Sequence, residues 1–139
     1  MTLEAAAVIS VDEKEVLFWH LPPDRSIAFL PDTAGTLWDA LRKHWRQMAG
    51  TVHSHPGYGI PHPSYEDLTS YDAFEFWSDR RFRWWVASMD RLVRVEWEGP
   101  ERYDYRVTPV DKDTEPPWAD ELRRLSREKA TTLPAGMEV

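Results

Sequence analysis

The sequence predicts a mixed α/β domain, a central mixed sheet flanked by helices, and three observations carry that prediction. Short apolar or alternating runs recur toward both ends of the chain, as strands require. Two stretches, after Asp32 and after Ser64, repeat apolar residues at steps of three and four, the period of a helix. Trp84 and Trp85 are adjacent, so on a strand they point to opposite faces, and both faces of the sheet need cover. The chain has 139 residues, 42% of them hydrophobic, with eight tryptophans. That is enough for a single core, and the expectation is one domain over 1–139.

Residues 3–11 read as a largely buried strand, since Ala5 to Ile9 is a continuous apolar run. Val11-Asp12-Glu13-Lys14 is a polar turn, and Glu15 to Leu21 a second strand of β-branched and aromatic residues, with His20 inside it as a structural histidine. Pro22-Pro23-Asp24-Arg25 breaks that strand, and Ser26 to Leu30 reads as a short third one. Asp32-Thr33 caps a helix expected to reach about Ala49. Ala34, Leu37, Trp38, Leu41, Trp45 and Met48 form its apolar stripe, Arg42, Lys43, Arg46 and Gln47 lie opposite, and Gly50 stands where a helix-ending glycine is favoured.

The strand carrying His53 follows directly. Ser64 to about Trp77 is a helix with Leu68, Tyr71, Phe74 or Phe76, and Trp77 turned inward, and with Asp72 and Glu75 on the surface. Phe82 to Met89 and Leu92 to Glu98 are strands joined tightly through Asp90-Arg91, and Tyr103, Tyr105 and Val107 alternate with charged residues in another. These three are antiparallel with one face on the core. Beyond Thr108 the chain is irregular until a last helix, Trp118 to Lys129, with Trp118, Leu122 and Leu125 as its stripe; Pro134 ends the order and the tail frays.

The chemistry gathers in His53-Ser54-His55-Pro56, a Gly/Pro loop from Gly57 to Pro63, and Ser64-Tyr65-Glu66-Asp67. Two histidines one residue apart on a strand point the same way, and a carboxylate returns to them after a short turn. Two imidazoles and one carboxylate are a ligand set for a zinc ion that keeps an open position for water. Ser64-x-x-Asp67 is also a helix N-terminal signature, a capping hydroxyl with an acid three residues on. The two roles are compatible, because an acid in the first turn can point back at a metal. Tyr58 in the loop is a candidate for lining a substrate groove, and His62 for touching substrate or metal.

These residues resemble the JAMM (MPN-plus) metalloprotease motif, H-x-H, a loop, then S-x-x-D, most closely in its small stand-alone prokaryotic form. Eight residues, Pro56 to Pro63, separate His55 from Ser64, one more than the family usually has. A Gly/Pro loop absorbs such an insertion easily, since closure cost grows slowly with length. The resemblance covers residues 1–110 and implies the MPN, cytidine-deaminase-like architecture, leaving 111–139 as a C-terminal extension with a helix. It implies zinc on His53, His55 and Asp67, a glutamate at the head of the first strand as general base, and Ser64 as donor to the oxyanion. Glu4, opening Glu4-Ala5-Ala6-Ala7-Val8-Ile9-Ser10, fits that glutamate better than Glu15, which opens the second strand. The family's helix before this glutamate has no counterpart in Met1-Thr2-Leu3.

The activity implied is hydrolysis of an amide bond at the C-terminal tail of a ubiquitin-like or sulfur-carrier protein ending in Gly-Gly. The alternatives are a non-catalytic MPN-type binding module and a zinc hydrolase of small amides. The net charge of −7 and a pI near 5.2 disfavour nucleic acid and anionic membranes as partners. The chain has no cysteine, which excludes disulfides, a thiol nucleophile and a Cys-ligated zinc deaminase. No apolar run reaches membrane-spanning length, the first residues lack the basic segment of a signal peptide, and the expected location is the cytoplasm.

Overall fold

The computed structural model describes residues 4–21 and 36–127, which form an α+β fold around one open mixed sheet. Its strands are β1 (Ala6–Ser10), β2 (Val16–His20), β3 (Met48–Ser54), β4 (Trp84–Ala87), β5 (Leu92–Trp97) and β6 (Tyr105–Pro109), and its helices α1 (Thr36–His44), α2 (Tyr65–Ser78) and α3 (Pro117–Arg127). The strand order is β2-β1-β3-β4-β5-β6. β1 runs antiparallel to both β2 and β3, β3 runs parallel to β4, and β4, β5 and β6 form an antiparallel meander. A parallel pair needs a crossover rather than a hairpin; α2 and the loop before it supply it.

Both faces of the sheet are covered, as the paired tryptophans require. Trp84 packs on one side with Leu37, Leu41, Tyr71, Phe74 and Phe82, residues of α1, α2 and the segment after α2. Trp85 packs on the other with Trp118, Ala119, Leu122 and Leu125 of α3, its ring meeting that of Trp118 at 5.5 Å. The expected C-terminal helix is therefore one wall of the core, and its apolar stripe is the one read from the sequence. None of the described helices is long and apolar enough to cross a membrane.

Four expectations need correction. The first helix ends at His44, and Met48 and Ala49, expected inside it, belong to β3. Just past its end Arg80 holds the chain, donating from Nη1 to the Trp45 carbonyl at 2.8 Å and from Nη2 to the Met48 carbonyl at 3.2 Å. Gly50 is likewise a strand residue and not a helix stop. A Cβ there would stand 1.4 Å from the Arg83 carbonyl oxygen, so the glycine answers to the close approach of a neighbouring backbone.

Asp72 and Glu75, expected on the surface, are buried at 8% and 3% exposure. Glu75 falls on the same helical face as Tyr71 and accepts from the Phe82 amide at 2.9 Å, Trp84 Nε1 at 3.0 Å, Arg81 Nη1 at 3.0 Å and the Tyr105 hydroxyl. Asp72 is held by Arg102 Nε at 2.7 Å. Of the alternatives at Phe74 and Phe76, Phe74 faces the core and Phe76 stands 87% exposed, while Trp77, expected inward, is 46% exposed. The expected strand at Ser26 to Leu30, the Asp32-Thr33 cap and the tail past Arg127 lie outside the described residues.

Candidate metal centre

The site is assembled at the C-terminal end of β3. The antiparallel register sets Ala6 of β1 opposite His53, and Ser54, between the two histidines, turns its side chain to the other face of the sheet. There Ser54 Oγ accepts from the Ala5 amide at 2.9 Å and lies 3.0 Å from Ser126 Oγ of α3, while its own amide donates to the Ala5 carbonyl at 2.9 Å. These bonds fasten the backbone next to Glu4 against the histidine strand. His55 continues the alignment beyond β3, its amide donating to the Ala87 carbonyl at 2.8 Å.

Past His55 the loop is pinned to the turn between β4 and β5. The Met89 amide donates to the Gly57 carbonyl at 2.9 Å, the Gly59 amide to Asp90 Oδ1 at 2.8 Å, and Ser88 Oγ to the Gly59 carbonyl at 2.5 Å. Gly59 has φ 92°, in the region open to glycine. The turn is anchored in its own right, since the buried Arg123 of α3 donates from Nε to the Ser88 carbonyl at 2.8 Å and clamps Glu115 through both Nη atoms at 2.6 and 3.0 Å.

The loop delivers Ser64 to the start of α2 as its N-cap. The Asp67 amide donates to Ser64 Oγ at 3.0 Å, and the Ser64 amide donates to Asp67 Oδ2 at 2.8 Å, completing a capping box. The same Oδ2 faces the histidines. It lies 3.2 Å from His53 Nε2 and 3.4 Å from His55 Nε2, and the two ring nitrogens are 3.0 Å apart. Asp67 and His53 are buried, at 0% and 2% exposure, whereas His55 is partly open to solvent. Burial works to raise the Asp67 carboxyl, but the charge and hydrogen bond of His53, with the bonds from His55 and the Ser64 amide, outweigh it and hold the group well below the usual carboxylate range. Asp67 is an anion here.

Three donor atoms in a triangle of 3.0 to 3.4 Å suit a small tetrahedral cation. Ligands about 2.0–2.2 Å from zinc stand about 3.3–3.6 Å from each other. Asp67 Oδ1, by contrast, is buried without a hydrogen-bond partner. Glu4 completes the group: one of its carboxylate oxygens and a ring nitrogen of each histidine all lie within 4.8 Å of one another. Of the two acids, Asp67 Oδ2 is within ligand spacing of both histidines, and Glu4 is near enough to both to join the group. Glu15 sits at the opposite end of β1, its carbonyl accepting from the Ser10 amide at 2.9 Å, and its side chain is exposed.

The five residues Glu4, His53, His55, Ser64 and Asp67 are thus brought together, and Tyr58 and His62 are not. Tyr58 is 82% exposed, and His62 is exposed in the loop. Sequence reading missed Ser54, whose place between two histidines marks it as the residue of the opposite face, and Tyr71, one turn after Asp67. The Tyr71 phenol is driven well above its ordinary pKa by burial first and then by the charges of Asp67, Tyr105 and Glu75. No family model and no curated protein matches this chain.

Proposed function

We propose that this chain is a zinc-dependent metallopeptidase of JAMM type, hydrolysing an amide or isopeptide bond at the C-terminal tail of a ubiquitin-like or sulfur-carrier protein. The observation that carries the reading is the convergence of His53 Nε2, His55 Nε2 and Asp67 Oδ2 within 3.4 Å, with Glu4 in the same cluster. His53, His55 and Asp67 would hold the zinc. When bound, the ion supplies Lewis acidity and makes a water acidic enough to act at neutral pH.

The chain's own groups do the rest. The Glu4 carboxylate accepts the proton of the attacking water and passes it to the leaving amine, a general-base and then general-acid role. Ser64 Oγ uses a lone pair to receive the Asp67 amide, which leaves its hydroxyl hydrogen for the oxyanion of the tetrahedral intermediate. The Ser64 amide, by donating to Asp67 Oδ2, holds the carboxylate toward the histidines. The partly exposed side of His55 and Ser64 is the approach for an extended tail.

The test is the metal content of untagged protein by elemental mass spectrometry, wild type beside His53→Ala and Asp67→Asn. About one zinc per chain in the wild type, lost in both variants, is the expected result. Folded wild-type protein that stays empty after zinc is offered overturns the reading.

A further inference from the structure

Tyr71 carries a hydroxyl that its packing does not explain. Its ring stacks on Trp84 with centroids 4.5 Å apart and planes 9° from parallel, a contact phenylalanine would make equally well. The hydroxyl is buried with no hydrogen-bond partner, which costs stability unless the group is used. The neighbouring phenol differs, because Tyr105 donates to Glu75. One other side-chain oxygen on α2 shares the predicament of Tyr71, Oδ1 of Asp67.

The two residues are four apart on α2. Residues at that spacing lie one above the other on one face, and a long helical side chain leans back toward the helix N-terminus. Tyr71 therefore leans toward Asp67. A protonated phenol is a donor and a carboxylate oxygen only an acceptor, so the two unpartnered atoms are chemically complementary.

We infer that Tyr71 is a positioning residue for Asp67: its phenol donates to Oδ1 across one water, and so keeps Oδ2 turned toward His53 and His55. The inference rests on the metal reading above. It gives Asp67 a second anchor beside the Ser64 amide, one on each oxygen, as groups behind metal ligands commonly do.

The experiment is a zinc dissociation constant measured by chelator competition for wild type, Tyr71→Phe and Tyr105→Phe, with denaturant unfolding of each metal-free protein. Tyr71→Phe is expected to fold at least as stably as wild type yet bind zinc roughly ten- to hundredfold more weakly, and to shift the visible spectrum of the cobalt-loaded protein. Tyr105→Phe is expected to lose stability and keep wild-type zinc affinity. Equal zinc affinity in Tyr71→Phe overturns the inference and leaves the metal site standing, as does equal weakening in both variants. Wild-type protein that binds no zinc overturns both.

Discussion

Ala5 and Ser54 bond each other three times, the Ala5 amide donating to Ser54 Oγ at 2.9 Å, the Ser54 amide to the Ala5 carbonyl at 2.9 Å and the Ser54 hydroxyl to the same carbonyl at 3.4 Å. The pair joins the residue after Glu4 to the residue between the two histidines, so it sets the distance from Glu4 to His53 and His55. Ser54→Ala leaves the Ala5 amide buried without its acceptor. The expected loss is about 1–3 kcal/mol of stability, read by denaturant unfolding, with turnover falling further than zinc content.

In the proposed reading Glu4 acts as the base, although its carboxylate also lies within reach of the metal ligands. Glu4→Gln is expected to retain zinc and fold normally while hydrolysis drops by about 10²–10⁴. A fully active Glu4→Gln, assayed against a precursor bearing a Gly-Gly tail, would remove the residue from the mechanism.

Ser64 caps α2, and mutation can separate that role from the oxyanion donation proposed above. Ser64→Ala removes cap and donor together, at about 0.5–2 kcal/mol for the cap and about 10²–10³ in turnover for the donor. Ser64→Gly costs the helix only a few tenths of a kcal/mol and should be as slow as Ser64→Ala. If instead turnover follows stability across the two variants, Ser64 is a cap alone.

Glu75 binds the crossover helix to the sheet. Glu75→Ala strips partners from the Phe82 amide and Trp84 Nε1, each buried donor costing about 1–3 kcal/mol. The variant is expected to unfold at markedly lower denaturant. A near-neutral result would mean that water replaces the carboxylate.

β5 and α3 were readable from their periods, whereas β1 and β4, buried on both faces, were readable as short apolar runs without alternation. Gly50 misled because a glycine after a basic helical turn is a common stop, whereas the Arg83 backbone that forbids a side chain there is more than thirty residues away in the chain. Glu75 misled for a related reason. A glutamate on a helix is ordinarily solvated, and its donors come from β4, β6 and the segment between α2 and β4, which no local pattern reveals.

The site divides in the same way. His53, His55, Ser64 and Asp67 lie within one crossover, so their spacing announces them. Glu4 is 49 positions from His53, and only the pairing of Ala6 with His53 brings the two strands into register. Without that pairing, Glu4 and Glu15 were alternatives; with it, only Glu4 is near the histidines.

The parallel step from β3 to β4 has a thermodynamic side as well. An ion held by His53 and Asp67 would tie together two points 14 residues apart, one at the exit of a strand and one in the first turn of the crossover helix. Because these ligands meet only in the folded chain, such a tie would stabilise that state by mass action, about 2.7 kcal/mol at free metal a hundredfold above its Kd. The cation would then be a rivet as much as a reagent: chelation is expected to lower the melting temperature and to loosen α2 first, with amide exchange rising at Leu68 and Ser70 before it rises in β4 and β5.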